Sequence, residues 1–143
     1  MANNVSAEQF ISEYAALLLR SGATCARLEK NVQRIATAWG FNIEIAIMPR
    51  HIHITINYID GHSSTLIKGL EKTHISFDIV TKLSKLSWEI ADNNKDIPFA
   101  VKSLKEIEKT KNKIAIETDV AKKIILLEKL TMLKKRSVSN ERN

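Results

Sequence analysis

Apolar residues in the first forty positions recur at helical spacing. Phe10, Ile11, Tyr14, Leu17 and Leu18 form one such stripe. The stretch Ser6 to Gln9 (SAEQ) before it fits a capping box, with Gln9 placed to reach back to the Ser6 amide. Ser21-Gly22 ends this helix, because glycine tolerates the left-handed backbone of a helix terminus. A second helix is predicted from near Ala23, with Cys25, Leu28, Val32, Ile35, Ala36 and Trp39 on its apolar face and Gly40 as its stop. A short link between the two predicts an antiparallel helical hairpin.

The period then changes to two. Ile43, Ile45 and Ile47 alternate with Glu44, Ala46 and Met48, as in a half-buried strand. Pro49-Arg50 turns the chain, and Ile52, Ile54, Ile56 and Tyr58 alternate with His51, His53, Thr55 and Asn57. Asp60-Gly61 is a hairpin signal, and a third strand is expected over 63–70. Residues 74–77 either add a short fourth strand or lead into the next helix.

Helical spacing resumes at Ile79, Leu83, Leu86 and Ile90 and breaks at Asp92-Asn93-Asn94. Asp96 caps a further helix, with Pro98 tolerated in its first turn and Val101, Leu104 and Ile107 as its buried stripe. A last helix is expected from about Lys113 to Arg136, with the stripe Ile116, Val120, Ile124 and Leu127 bounded by lysines. The polar tail 137–143 is expected to fray. The predicted fold class is α+β: a helical hairpin, a small antiparallel sheet of three to four strands, then two to three further helices.

Charge sharpens the division. Residues 1–101 carry ten basic and ten acidic side chains, whereas residues 102–143 carry twelve and six, so the whole formal charge of +6 lies in the last stretch. We therefore expect a domain over 1–110 and a basic C-terminal helix and tail over 111–143. At 44% hydrophobic residues, a 143-residue chain sustains one compact core. The single cysteine, Cys25, excludes an internal disulfide and points to a reducing compartment. The N-terminal run MANNVSAEQF has no secretory signal pattern, and no stretch reaches eighteen apolar residues.

Candidate chemistry is sparse. His51 and His53 project from the same face of a strand and are the metal-ligand candidates, with His62 near the following turn as a third. A solvated face opposite the isoleucines explains the same residues, since no acidic or cysteine ligand lies at a recognisable spacing. His74 stands alone. Cys25, on the apolar face of its helix, reads as a small core residue rather than a reactive thiolate. Arg27 and Glu29 flank the apolar stripe beside the Ser21-Gly22 turn, where they line a site or face solvent. With four glycines in the chain, phosphate-binding glycine loops are absent, and no serine sits in a nucleophile elbow. The basic helix over 113–136 suits an anionic membrane surface, a partner chain or packing on the domain itself. Nucleic acid is not an expected partner, because aromatic interleaving and a helix-turn-helix signal are missing. No cofactor is implied.

The run from Tyr14 to Glu29 (YAALLLRSGATCARLE) resembles the opening of the threonine/serine exporter (ThrE-like) family, in which a leucine-rich helix ends at Ser-Gly-Ala and a second helix begins with a polar, Arg and Glu pattern. The matching positions are Leu17 to Leu19, Ser21, Gly22, Ala23, Arg27 and Glu29. The resemblance continues through Arg34-Ile35-Ala36 to Gly40, the strand ending at Pro49, the strand from His51 to Ile56, and the runs 75–78 (ISFD), 83–87 (LSKLS) and 101–108. It covers roughly residues 10–110 and makes Ser21, Gly22, Arg27, Glu29 and Pro49 the candidate functional positions.

The resemblance implies an integral inner-membrane family in bacteria that exports threonine, serine or a dicarboxylate, driven by the proton gradient. A soluble cytosolic N-terminal domain precedes its membrane helices, in one chain or split across two. The implied location is then cytoplasmic, at the cytosolic face of the inner membrane, and the implied partner is a membrane-spanning exporter subunit or domain. A hydrolase-like role has been suggested for such domains, but no catalytic residue carries over. Where the family enters its first apolar span, this chain reads TKNKIAIETD from Thr110 and stays rich in lysine, which hydrocarbon does not accommodate. The expectation is a domain not transport-competent alone, either truncated or frameshifted or a stand-alone relative, with a regulatory or coupling role. The alternatives are a metal-assisted hydrolase using His51 and His53, or a peripheral interaction module.

Overall fold

The computed structural model describes residues 5–141. The N-terminal residues 1–4 and the end of the polar tail, 142–143, lie outside the described residues. Among those described, the chain forms four helices and one three-stranded antiparallel sheet, an α+β fold. The elements are α1 (Ala7–Arg20), α2 (Cys25–Ala38), β1 (Asn42–Ile47), β2 (His51–Asn57), β3 (Ser63–Gly69), α3 (Phe77–Asp92) and α4 (Ile97–Glu141). The chain divides into two compact units, Met1–Ile107 and Glu108–Asn143.

Each helix of the first unit begins on a side-chain cap. The Ser6 hydroxyl accepts from the Gln9 amide, Thr24 from Arg27, Ser76 from Ile79, and the Asp96 carboxylate from Phe99. Three of them end alike. At α1 the Gly22 amide donates to the Leu19 carbonyl and the Ala23 amide to the Leu18 carbonyl. At α2 the Gly40 amide donates to Thr37 and the Phe41 amide to Ala36. These are Schellman closures, with Gly22 at φ +100° and Gly40 at φ +86°. At α3 the left-handed position falls to Asn94, at φ 49°, and the Lys95 amide returns to the Ile90 carbonyl.

The sheet order is β1-β2-β3. Ile43, Ile45 and Ile47 face Ile56, Ile54 and Ile52 across the first ladder, and Leu66 faces Ile54 across the second. These isoleucines turn to the helices, and Ile52, Ile54 and Ile56 are fully buried. The other face carries Glu44, His51, His53, Thr55 and Thr65. The Met48–His51 turn and the Tyr58–His62 turn close the two hairpins, the latter with Gly61 at φ +88°. Residues 74–76 lead into α3 rather than forming a fourth strand.

Helix α1 lies at the centre of this unit. Phe10, Ile11, Tyr14, Ala15, Ala16, Leu17 and Leu18 are all buried, and α1 contacts α2, α3, β2 and β3. Its C-terminal end is tied down by a segment far away in sequence. The His74 amide donates to the Arg20 carbonyl and the Ser76 amide to the Ser21 carbonyl, satisfying groups that a helix end leaves open. Ser76 thus closes α1 with its backbone and opens α3 with its side chain. An aromatic series follows on, with neighbouring ring centroids 5.0–6.4 Å apart through Phe10, Trp39, Phe41, Tyr58 and His62.

Four expectations need correction. Helix α2 starts at Cys25, capped by Thr24, so Cys25 is its first residue and is exposed rather than part of the core. In the first turns of α4 the buried residues are Ala100 and Leu104, with Val101 and Ile107 at the margin, so the stripe is rotated from the expected one. The two helices expected after Asp96 are one helix, and the expected fraying tail is helical through Glu141. Beyond Pro98 that stretch has neither proline nor glycine, so nothing in its backbone chemistry stops the helix. In the second unit, Ile116, Val120, Ile124 and Leu127 are all at least 51% exposed.

Two predictions follow from this packing. A Cβ added at Gly22 meets the Ile75 side chain at 3.3 Å and stands at a backbone angle that L residues rarely adopt. Gly22→Ala is expected to cost about 1–3 kcal/mol, and Gly40→Ala less, since the nearest atom there is 3.9 Å away. Urea unfolding of both variants checks the order. The second concerns the two tyrosines. Burial pushes the Tyr14 hydroxyl above its usual range, partly offset by Ser87, Asn31 and Arg34. Tyr58 is pushed up to about 12 by burial, then by its hydrogen bond to Glu8 and by the charges of Glu8 and Asp60. Raised folded-state values mean stability present in full below about pH 10, the unfolded tyrosine range, and lost as pH rises towards 12. Tyrosinate absorbance should therefore appear together with unfolding. A native-state titration near pH 10 would contradict this packing.

Candidate functional site

The polar side chains that the fold holds most firmly lie between α2 and α3. Asn31 and Arg34 are three residues apart on α2, and Ser84 and Ser87 are three apart on α3, so each pair shares one helix face. Across the seam the Asn31 Nδ2 donates to the Ser84 Oγ at 3.0 Å. One guanidinium nitrogen of Arg34 donates to the Asn31 Oδ1 at 2.9 Å and to the Ser87 Oγ at 2.7 Å. The Ser87 hydroxyl donates in turn to the Ser84 carbonyl. The guanidinium also lies over the Trp88 ring, 3.7 Å from its centroid. On the inner side, the Tyr14 hydroxyl donates to the Leu83 carbonyl at 2.6 Å, which links this seam to α1. Asn31 and Ser87 are buried, so these polar groups depend on each other for hydrogen bonds.

Two grooves open beside Arg34. The larger, about 740 Å3, runs between α2 and β1 and is lined by Glu29, Lys30, Gln33, Arg34, Thr37, Ile43 and Ile45. The smaller, about 400 Å3, is lined by Thr24, Ala26, Arg27, Lys30, Asn31, Arg34, Ser84 and Trp88. Its lining contains three cations and no carboxylate. Arg27, Lys30 and Arg34 follow at i, i+3 and i+7, which stacks them along one side of α2. None of the three is paired with a carboxylate among the described residues. Like charges at this spacing destabilise an isolated helix by about 0.2–0.5 kcal/mol per pair. The arrangement can receive an anion through a fixed guanidinium and two exposed cations.

The positions named from sequence are scattered over the fold. Arg27 lines the smaller groove and Glu29 the larger. Ser21 is fully buried in the α1–α2 link, where its Oγ has no hydrogen-bond partner among the described residues, and Gly22 packs beneath Ile75. Pro49 is exposed in the β1–β2 turn. His51 and His53 lie on the outer sheet face, opposite Gly69 and Ile67 of β3, while His62 stacks on Tyr58 and faces Asp60 at 3.8 Å. No group of three or more His, Cys, Asp or Glu side chains is placed to hold a metal ion among the described residues. Asn31 and Trp88 are not among the residues named from sequence, and Arg34, Ser84 and Ser87 enter there only within the runs that carry the family resemblance, not as candidate functional positions. The available signal was a pair of polar residues interrupting the buried face of each helix: Asn31 beside Val32 and Ile35, and Ser87 beside Leu83 and Leu86.

The model of the family described as "Putative threonine/serine exporter" (ThrE) matches residues 9–121. The chain belongs to the ThrE family. The match takes in the whole sheet, α1, α2 and α3, and continues into α4. No curated protein and no solved structure matches the chain. No helix among the described residues is long and apolar enough to cross a membrane.

Replacing Arg34 tests whether this seam is as tightly coupled as its geometry implies. Arg34→Lys keeps the charge but loses the planar fork that reaches Asn31, Ser87 and Trp88 together. A loss of about 1–3 kcal/mol is expected, because buried partners are left unsatisfied, with a change in Trp88 fluorescence. Stability and emission equal to the parent would refute the coupling.

Proposed function

We propose that this chain is the non-translocating, cytosolic module of a ThrE-family exporter, and that it regulates or couples the export of a small amino acid or dicarboxylate. It acts with a membrane-spanning exporter part, on the same or a separate chain, at the cytosolic face of a bacterial inner membrane. The family match over residues 9–121 carries this reading, because it covers a region without any helix able to span a bilayer. A translocation path needs spanning helices or a closed barrel. The folded unit around α1 and the sheet has the character of an accessory domain: it holds its own buried core and presents grooves beside Arg34.

The decisive experiment removes this domain from a complete exporter and measures substrate efflux from loaded cells, with membrane insertion verified separately. Efflux is expected to fall to background or lose its response to internal substrate. Unchanged efflux with normal insertion would overturn the proposal.

A further inference from the structure

The groove between α2 and α3 is lined by positive charge without a carboxylate in its lining. Arg27, Lys30 and Arg34 all line it, no carboxylate does, and none of the three forms an ion pair among the described residues. Arg34 is not free to turn away. Its guanidinium is held by Asn31, by Ser87 and by the face of Trp88. The contacts to Asn31 and Ser87 come from one terminal nitrogen, and a guanidinium carries five N–H donors, so further donors remain for a ligand. Ser84 accepts a hydrogen bond from Asn31, which leaves its own hydroxyl proton available as a donor. Thr24 and Ala26 place the N-terminal turn of α2 on the same groove, and its aligned peptide dipoles add positive potential there.

We propose that this groove is a binding site for a small, doubly charged oxyanion, a dicarboxylate or a phosphate-type group, held by Arg34 and closed over by Arg27 and Lys30. Charge sets the class. A monoanion leaves most of the three positive charges unmatched, and a zwitterionic amino acid adds a positive charge of its own. Spacing sets the size. Along α2 the cations rise by about 4.5 Å from Arg27 to Lys30 and about 6 Å from Lys30 to Arg34, within reach of one short anion. At about 400 Å3, the groove suits a metabolite-sized ligand rather than a polymer. Arg34 supplies planar, oriented donors and Lys30 a mobile point charge, the two modes by which oxyanions are recognised. This site goes beyond the exporter reading. Its binding is a property of the chain itself, so it can fail while the transport phenotype stands, and the reverse.

The test is calorimetric titration of the full chain with inorganic phosphate, succinate and threonine, for the parent and for the Arg27→Gln/Lys30→Gln double variant. Both side chains are exposed, so the double variant should fold and melt at or slightly above the parental temperature, since it also relieves their mutual repulsion. Saturable one-to-one binding of at least one dianion is expected, weakened about ten-fold or more in the double variant and further at raised salt. Threonine should give no saturable signal. Binding of phosphate alone assigns a phosphate-type ligand, and binding of succinate alone a carboxylate. The proposal is overturned if neither dianion binds, if threonine binds as well as they do, or if the double variant binds like the parent. The last result would move the anion to the lysine-rich second unit.

Discussion

The first unit of this protein is organised around a helix that must be covered on nearly every side. The buried residues of α1 run almost without interruption from Phe10 to Leu18, so a single packing face does not suffice. Each large apolar side chain buried there contributes about 1.5–3 kcal/mol, and that gain requires the sheet as well as α2 and α3 around it. The same constraint explains why the C-terminus of α1 is closed so thoroughly. Carbonyls brought inside with the helix need donors, and a local Schellman turn together with the amides of His74 and Ser76 supplies them. Ser76 thereby fixes where α3 begins relative to where α1 ends.

That placement has a consequence at the α2–α3 seam. With α1 occupying the apolar interior, the facing sides of α2 and α3 carry the polar contacts of Asn31, Arg34, Ser84 and Ser87. A semi-buried arginine is tolerated when part of its donor set is engaged and its flat face is covered, as here by Asn31, Ser87 and Trp88. The result is a cation whose direction is set by packing, standing beside two whose direction is not. Such a division between one rigid and two adaptable groups is an economical way to build an anion receptor, since little order must be imposed when the ligand arrives.

Local chemistry was legible in the sequence. Ser6, Gly22, Gly40 and Asp96 mark helix ends by short-range hydrogen bonding, and Asp60-Gly61 marks a hairpin, so each signal lies within a few residues of what it specifies. The isoleucine alternation gave the sheet face for the same reason. Cys25 misled because helical spacing assigned it to the apolar face, while its place as the first residue of α2 leaves it exposed. The continuous α4 replaces the two helices expected because no Gly or Pro follows Pro98 to interrupt it, and a shift in charge does not end a helix. The Arg34 arrangement was hidden for a different reason. Its partners on α3 lie 53 residues away, and no periodicity carries information across that distance. The family resemblance did single out Ser21-Gly22 and the run from Ile75 to Asp78. The structure brings these two stretches into contact and gives them a structural role, whereas Arg27, Arg34 and Ser84, which the resemblance also covers, line the smaller groove.

In this reading the α2–α3 seam, rather than the general positive charge of the chain, receives the anion. Chemical-shift mapping of the full chain during a succinate or phosphate titration tests it most directly. Saturating shifts confined to the amides of residues 24–34 and 84–88 are expected. Shifts spread across the lysine-rich residues 108–141, with the seam unmoved, would contradict it.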